Sequence, residues 1–450
     1  MIPGGKIPFL SCCLLLSPLA DANGVEEAVL EYPRSFHTLG NQPTGVTVGY
    51  FNADDLIDIA VSNRSSHDLS IFMGEGGFEV SDPMLVPVGT TPRYVEAIDV
   101  DGDGRDELIT TDYDDSTISM VRFDDPQSPV VTVIADLHRP AAFDVGDVDD
   151  DGDLDVVVVH WDEAAGTPSQ APGICTVLRN DGVTAGFHPI EVALIGEQPR
   201  CIRLADFDAD GDLDALVCSL GSDEINILRN ENATSWSSWI DIVVPDEPRF
   251  ATAADFDSDG AMDFAVVHKS LNQLIVHLQI LPGVFESQTP LATGLVPHGI
   301  IHGHIGADAH VDLVVADLGS HKLDIYANQG DGNFESSCQS LSPACPADVV
   351  AHDFDLDGWI DIVAAGALTD TVNIHRNVTG TETCIPIPCP SDIDGNEKVD
   401  VLDLLEVIGA WGECPPHGPP GSSCHEDLQN DGWVDVLDLL MVLDAWGECP

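Results

Sequence analysis

The chain has 450 residues, with 78 Asp+Glu against 16 Lys+Arg, giving a formal net charge of −62. Gripping a polyanion with so few cations is not feasible, which excludes nucleic-acid binding. With 44% hydrophobic and only 21% charged residues the chain can build a core, unlike a disordered acidic tail, while 40 Gly and 30 Pro favour many short strands over long helices.

The first element is a short leader. Lys6 precedes the apolar run Ile7–Leu16, then Ser17, Pro18 and the small-x-small triplet Ala20-Asp21-Ala22. Residues 1–22 read as a signal peptide that is removed, so the mature protein is expected to be secreted or extracellular. A lipid anchor at Cys12 fits less well, because Leu14, Leu15 and Leu16 continue the apolar run. No later segment reaches 18 uninterrupted apolar residues, so no transmembrane segment is expected.

From residue 50 the chain repeats itself. The strings YFNADDLID, DVDGDGRDE, DVDDDGDLD, DFDADGDLD, DFDSDGAMD, HIGADAHVD and DFDLDGWID begin at residues 50, 99, 147, 206, 255, 304 and 353. Their spacings are 49, 48, 59, 49, 49 and 49. Pro43, Pro92, Pro140, Pro199, Pro248, Pro297 and Pro346 each stand seven residues ahead of a string, a second marker in the same register. Strand-like stretches surround each string, as in Cys201–Leu204, Ala215–Cys218, Ile225–Leu228 and Ile240–Val244. Four short strands per repeat make one blade, and seven repeats make a closed ring. The spacing of 59 falls where Glu163–Gly173 reads as a rim insertion. The expected fold class is therefore mainly β, a seven-bladed β-propeller over residues 28–380.

The ends suggest how the ring closes. The seventh repeat stops after Thr371–Asn377 without a fourth strand, while Ala28–Leu39 precedes the first repeat as a strand with no first-to-third strands of its own. This N-terminal stretch is expected to complete blade seven and to remove exposed sheet edges.

The strings have the spacing of a loop that wraps a hard cation. Carboxylates at positions 1, 3, 5 and 9, with a Gly turn at 6 and a carbonyl near 7, can supply six or more oxygens, which suits Ca²⁺ better than Mg²⁺. Four strings are complete: Asp147/Asp149/Asp151/Asp155, Asp206/Asp208/Asp210/Asp214, Asp255/Asp257/Asp259/Asp263 and Asp353/Asp355/Asp357/Asp361. Asp99/Asp101/Asp103 with Glu107 is a fifth with a longer last ligand. The first string has Tyr50 at position 1 and Asp55 in place of Gly, so weak binding through Asn52, Asp54 and Asp58 is expected. The sixth keeps only Asp308 and Asp312 and is expected to bind no Ca²⁺. His298, His302, His304 and His310 in that repeat raise a Zn²⁺ or Cu²⁺ alternative, but they fall on a predicted strand and a decayed loop, so packing is the preferred reading.

These repeats resemble the FG-GAP/VCBS family, the integrin-α-type seven-bladed propeller, over roughly residues 28–380. The resemblance implies that fold, with Ca²⁺ at the complete strings. It implies less about function, because such propellers serve as adhesion modules, lectins, scaffolds and parts of enzymes.

Beyond Thr379, a Pro- and Thr-rich linker (381–388) leads to two segments 35 residues apart, starting at Cys389 and Cys424. In the first, Asp392, Asp394, Asn396, Asp400 and Asp403 take positions 1, 3, 5, 9 and 12 of an EF-hand-like Ca²⁺ loop; in the second, Asp427, Gln429, Asp431, Asp435 and Asp438 do. Each loop runs into residues of helical apolar period: Val401, Leu404, Leu405, Ile408 and Trp411, then Val436, Leu439, Leu440, Leu443 and Trp446. Both Trp are expected to pack between the two helices. Residues 389–450 resemble a small α-helical type I dockerin-like domain, and the Trp-Gly-x-Cys ending is similar to the C-terminal modules of secreted planctomycete proteins. The resemblance implies a cohesin-like docking partner. Dockerins usually carry polar pairs at loop positions 10 and 11, whereas this chain has Val401-Leu402 and Val436-Leu437.

Cysteine usage fits an oxidising compartment. Cys389/Cys414 and Cys424/Cys449, each 25 apart, are expected as disulfides, and Cys338/Cys345 as a local loop closure. Pairing of Cys175, Cys201, Cys218 and Cys384 stays open.

No nucleophile elbow, HExxH, P-loop or dinucleotide fingerprint occurs, and no catalytic residue is assigned. The expected function is a secreted, calcium-binding, non-catalytic binding or scaffold protein. Its propeller would take an extracellular protein or glycan ligand, and its dockerin-like module would serve attachment or assembly. The alternative is a component of a polysaccharide-degrading system, a lectin or a carbohydrate-active enzyme. Trp161, Trp236, Trp239 and Trp359 do not recur at one blade position, which leaves repeated sugar pockets unsupported. Seven divalent ions would bring the charge only to about −48, so the acidity exceeds what metal binding explains.

Overall fold

Each Pro marker opens the innermost strand of a blade, the one ladder position where a missing N–H costs least. These inner strands are Pro43–Gly49, Pro92–Ile98, Pro140–Gly146, Pro199–Ala205, Pro248–Ala254, Pro297–Gly303 and Pro346–His352. The register shifts directly after the Pro in every blade. The residue before it always has a left-handed backbone, from Gln42 (φ 60°) to Cys345 (φ 52°), and even the β-branched Val296 has φ 54°.

In the computed structural model each inner strand is followed by an acidic string, which returns the chain into a second strand buried on both faces. Asp155–Trp161 and Asp214–Ser219 are typical. Burial on both sides explains why Val156–Val159 runs apolar without alternation. A third and a fourth strand complete each antiparallel sheet, the fourth of the fifth blade being split into Val284–Ser287 and Leu291–Ala292. Outer strands face solvent, and Val130, Val131 and Val133 are exposed there.

The structure describes residues 30 and 33–377 except 127, 162–171, 183–185, 232–234, 307 and 342–344. It also describes residues 398–399, 404–405, 407–408, 411–413, 433–434, 439, 442 and 447–448. Among these no helix is long and apolar enough to cross a membrane.

The ring closes as the chain ends suggested. Arg34–His37 pairs antiparallel with Thr371–His375 as the outer strand of blade seven, with Phe36 opposite Val372. Phe36 also meets Phe72 of blade one edge-on at 6.5 Å. The inner strand Pro43–Gly49 lies beside both Pro92–Ile98 and Pro346–His352, so blades one and seven are neighbours. Most of the core lies between blades: Phe143, Val156 and Val158 of blade three pack with Ile98, Ile109 and Ile118 of blade two.

Three expectations are corrected. The insertion after Trp161 is shorter than Glu163–Gly173, because Pro172 and Gly173 already belong to the strand Pro172–Asn180, where Gly173 pairs with Trp161. Cys345 does not close a loop with Cys338: it is a free buried thiol 3.3 Å from His321 Nδ1. In the C-terminal segment Leu405, Ile408 and Trp411 are 55%, 49% and 53% exposed, whereas Val407 is buried. Among the described residues only Leu404 of the expected stripe is partly covered, and Val407, three positions on and outside that stripe, is buried, so the covered face is turned from the expected one. Val407 and Val442 are equivalent in the 35-residue repeat, and both are buried.

Two short strand pairs preserve that duplication. Lys398–Val399 pairs with Gly447–Glu448, and Gly412–Glu413 pairs with Trp433–Val434, so the loop of each segment meets the end of the other. The expected EF-hand ligands, Trp446 and the Cys389/Cys414 and Cys424/Cys449 disulfides lie outside the described residues.

Candidate metal sites

The acidic strings fold into one loop design. The carboxylate at position 1 accepts the N–H groups of positions 5 and 6. Asp206, for example, takes Asp210 N at 3.2 Å and Gly211 N at 3.0 Å, and Asp353 takes Asp357 N at 3.1 Å and Gly358 N at 2.9 Å. The carboxylate at position 5 accepts the N–H of position 7, as Asp259 does from Ala261 at 2.8 Å. Such tight wrapping needs a left-handed backbone at position 6, where Gly211 has φ 101° and Gly358 φ 94°.

Five loops bring three carboxylates together with ligand atoms within 4.8 Å of one another: Asp99/Asp101/Glu107, Asp147/Asp149/Asp155, Asp206/Asp208/Asp210, Asp255/Asp257/Asp259 and Asp353/Asp355/Asp357. These are the five strings read as complete or nearly so. Asp103 falls outside its set and ion-pairs with Arg105, and Asp151 likewise lies outside. A cation fits this chemistry for a specific reason. Asp101 Oδ1, Asp149 Oδ1 and Asp355 Oδ1, all at position 3, are buried with no hydrogen-bond donor. Buried carboxylate oxygens without partners are costly, and a hard divalent cation is the partner that this all-oxygen set suits.

Position 9 has a second task. Asp214 is fully buried; its Oδ2 accepts Phe207 N at 3.0 Å, and its Oδ1 accepts Asn230 N at 2.8 Å. Asp263 and Asp361 repeat the pattern with Phe256 and Gln279, and with Phe354 and Asn377. Burial pushes the carboxyls of Asp214, Asp361 and Glu107 up to about 7, and those of Asp155 and Asp263 to about 6, against the pull of these N–H donors. In the first loop Asp58 holds Phe51 N and Gly74 N in the same way, while Asn52 and Asp54 cap local turns. In the sixth, Asp312 holds Asn328 N and Gly306 N, and Asp308 caps His310 N.

Arginines lie on four of the five clusters. Arg122 reaches Asp101, Arg179 reaches Asp149, Arg229 reaches Asp208 and Arg376 reaches Asp355. The fifth blade has Leu278 where the fourth has Arg229, leaving Asp255/Asp257/Asp259 without such a neighbour. The histidines of repeat six do not gather: His298 contacts Ala347 O and Arg249, His302 contacts Thr252, and His304 contacts His310 O.

A set of amides was missed in the sequence. Asn180, Asn230, Gln279, Asn328 and Asn377 each donate side-chain N–H to the carbonyl at loop position 2 of the preceding blade: Val100, Val148, Phe207, Phe256 and Ile305, at 2.8–3.2 Å. The last four amides recur every 49 residues, a signal that was available. Where position 2 is Phe, its ring also meets an aromatic of the following blade, as in Phe51–Phe123 at 5.2 Å and Phe256–Phe334 at 5.4 Å. One residue thus ties its own loop to the neighbouring blade.

Residues 50–110, 206–266 and 307–364 match the family of FG-GAP-like repeats. The chain carries FG-GAP-like repeats in a seven-bladed propeller. No curated protein matches it. Among solved structures it is similar to BBS1N in complex with ARL6DN, with 14% identity and a TM-score of 0.57, covering 80% of this chain and 99% of that one. Virginiamycin B lyase from Staphylococcus aureus gives 14% identity and a TM-score of 0.50, covering 76% and 98%. A functionally unknown protein from Desulfotomaculum acetoxidans gives 12% and 0.52, covering 72% and 93%. At these identities the likeness concerns the fold alone. The FG-GAP-like architecture points to a ligand-binding or scaffold role, and its acidic clusters are compatible with metal ions.

Proposed function

We propose that this protein is a secreted, non-catalytic binding or scaffold propeller whose five acidic loops hold Ca²⁺, and whose dockerin-like C-terminal segment serves attachment or assembly. The observation that carries the calcium reading is the buried, donor-less oxygen at position 3 of three loops, beside carboxylates gathered within 4.8 Å. Each ion would replace carboxylate repulsion with coordination and would fix the loop that connects inner and second strands. The ligand of the propeller, an extracellular protein or glycan, would then meet a rigid ring. The leader at residues 1–22 supports secretion, and the duplicated EF-hand-like spacing supports the attachment module.

Calorimetric Ca²⁺ titration of the mature protein, with melting in Ca²⁺ and in chelator, tests this. About five propeller ions and a rise in Tm of ten degrees or more are expected, since ligand binding to the folded state alone stabilises by mass action. Fewer than two ions with an unchanged Tm would show that the loops are solvated turns.

A further inference from the structure

The end of the channel opposite the acidic loops has different chemistry. Each inner strand runs from its Pro to its acidic string, so the residue after the Pro lies about 20 Å from the loops. In blades two, four, five and six that residue is Arg93, Arg200, Arg249 and His298. Blades two and five are not neighbours, yet the charge of Arg93 acts on Arg249, and that of Arg200 acts on both. The geometry agrees: Arg93 lies over the Tyr113 ring and Arg200 over the Trp161 ring, and these two rings meet edge-on at 5.9 Å. Arg64 adds to the same field, and Arg139 lies 5.6 Å from both Tyr113 and Trp161. Five of the chain's 16 Lys+Arg thus gather at one mouth of a protein of net charge −62.

These arginines lack the partners found elsewhere. Arg34, Arg105, Arg122, Arg179, Arg229 and Arg376 each ion-pair with a carboxylate. Among the described residues no ion pair involves the five at the mouth. Arg93 Nε, Arg200 Nε and Arg249 Nε are buried without a hydrogen-bond partner. Arg93 stacks on the Tyr113 ring at 3.5 Å, and Arg249 Nη2 meets His298 Nε2 at 2.6 Å. Asp114 acts on Arg93 and Glu247 on Arg249 without contact, and each has another partner: Asp114 accepts the Thr91 hydroxyl at 2.5 Å, and Glu247 pairs with Lys269 at 3.7 Å. Burial and mutual repulsion lower the guanidinium values, Arg93 to about 10 and Arg249 to about 9. Towards the other mouth a cavity of about 370 Å³ includes Arg203 and Asp144, and Glu96 and Asp348 act on the same cluster, so the one guanidinium there stands among three carboxylates.

We propose that the arginine mouth is a binding site for a tetrahedral oxyanion group, a sulfate or phosphate, free or as an ester. Guanidinium groups converge from three blades. A carboxylate satisfies one such fork, whereas a tetrahedral oxyanion offers oxygens in several directions at once. Tyr113 and Trp161 wall the site with aromatic faces. The proposal deepens the binding-module reading and is tested separately, because calcium titration reports only on the loops at the opposite face.

The experiment is calorimetric titration of the full Ca²⁺-loaded chain with sodium sulfate, at ionic strength held constant with NaCl. Parent protein is compared with Arg200→Gln and Arg249→Gln. Saturable binding is expected, weakened about tenfold or more in each variant, as for loss of a charge-assisted bond. Without sulfate both variants should melt at or above the parent temperature, since a repelling charge has gone, which separates loss of binding from loss of fold. No saturable heat, or equal binding by parent and variants, overturns the site. A second arm uses a sulfated galactose tetrasaccharide and its desulfated form. Tighter binding of the sulfated sugar than of free sulfate assigns the group to a glycan ester, and equal or weaker binding assigns it to the free ion.

Discussion

Replacing Asn328 by Ala tests how the blades are coupled. Asn328 is buried, and its side-chain N–H groups go to Phe256 O in blade five at 2.8 Å and to Val311 O in its own loop at 3.1 Å. Its Oδ1 accepts Gly330 N at 2.9 Å, and its backbone N–H goes to Asp312 at 2.9 Å. The backbone bond survives in Asn328→Ala, but two carbonyls and one N–H lose their partner. A typical internal hydrogen bond contributes about 1 kcal/mol net, and a buried group left unsatisfied costs about 1–3 kcal/mol. The loss should come to about 2–4 kcal/mol.

Urea unfolding in saturating Ca²⁺ measures it, with Asn333→Ala as the control. Asn333 is exposed and caps nothing with its side chain among the described bonds, so its replacement should stay within about 0.5 kcal/mol. Because Asn328 crosses a blade boundary, the apparent m-value should also fall, as blades six and five begin to unfold separately. A loss no larger than that of Asn333→Ala, with m unchanged, would refute the amide latch as an element of inter-blade coupling.

Three other outcomes follow from the same structure. A chain beginning at Gly40 lacks the outer strand of blade seven and should lose its single cooperative transition by calorimetry; unchanged melting would count against closure by Arg34–His37. Arg229→Gln removes the cation beside Asp208 and Asp210, so melting in chelator should fall while Ca²⁺ binding at that loop tightens on the order of tenfold; equal affinity would mean that the arginine does not compete with the ion. Asp317 is buried beside Asp324, and burial, then that carboxylate, pushes its carboxyl up to about 9. The folded chain therefore keeps a proton that the unfolded chain releases, and this contribution, complete below the ordinary carboxylate range near 3.8, drains away as pH rises towards 9. Asp317→Asn should flatten the fall in Tm between pH 5 and 9, and an unaltered slope would dismiss the pair as its source.

Much of the fold was legible because each repeated position reports seven times. Pro43 alone says little, but seven Pro in register with seven acidic strings define inner strand, loop and second strand together. Closure was legible from what was missing: blade seven lacked a strand, and the N-terminus had one to give. The amide latch was overlooked because Asn230 and Asn328 look like turn residues at strand ends, and only their partners 82 and 72 residues upstream reveal the task. The double role of position 9 was hidden for a related reason. Spacing predicts a ligand at Asp214, but the two N–H groups it holds come from a loop and a third strand that no local pattern joins. Trp411 misled because a helical period shows which residues share a face and does not say which face is covered.

The same multiplicity suggests where binding chemistry belongs in this ring. The Pro, the residue at loop position 2 and the carboxylate at position 9 are tied into strand ends and blade junctions, so a change there is felt in the packing of two blades. The residue after the Pro is held in place by the strand and is only partly buried in blades two, four, five and six, where it lies against aromatic rings. It can vary at small cost to the fold, and seven copies of it form one ring at the channel mouth. In an otherwise acidic protein, four of those seven positions are Arg or His. Unpaired cations so close together repel and destabilise an empty ring. A stabilising role does not account for them, and an anion that enters the mouth does.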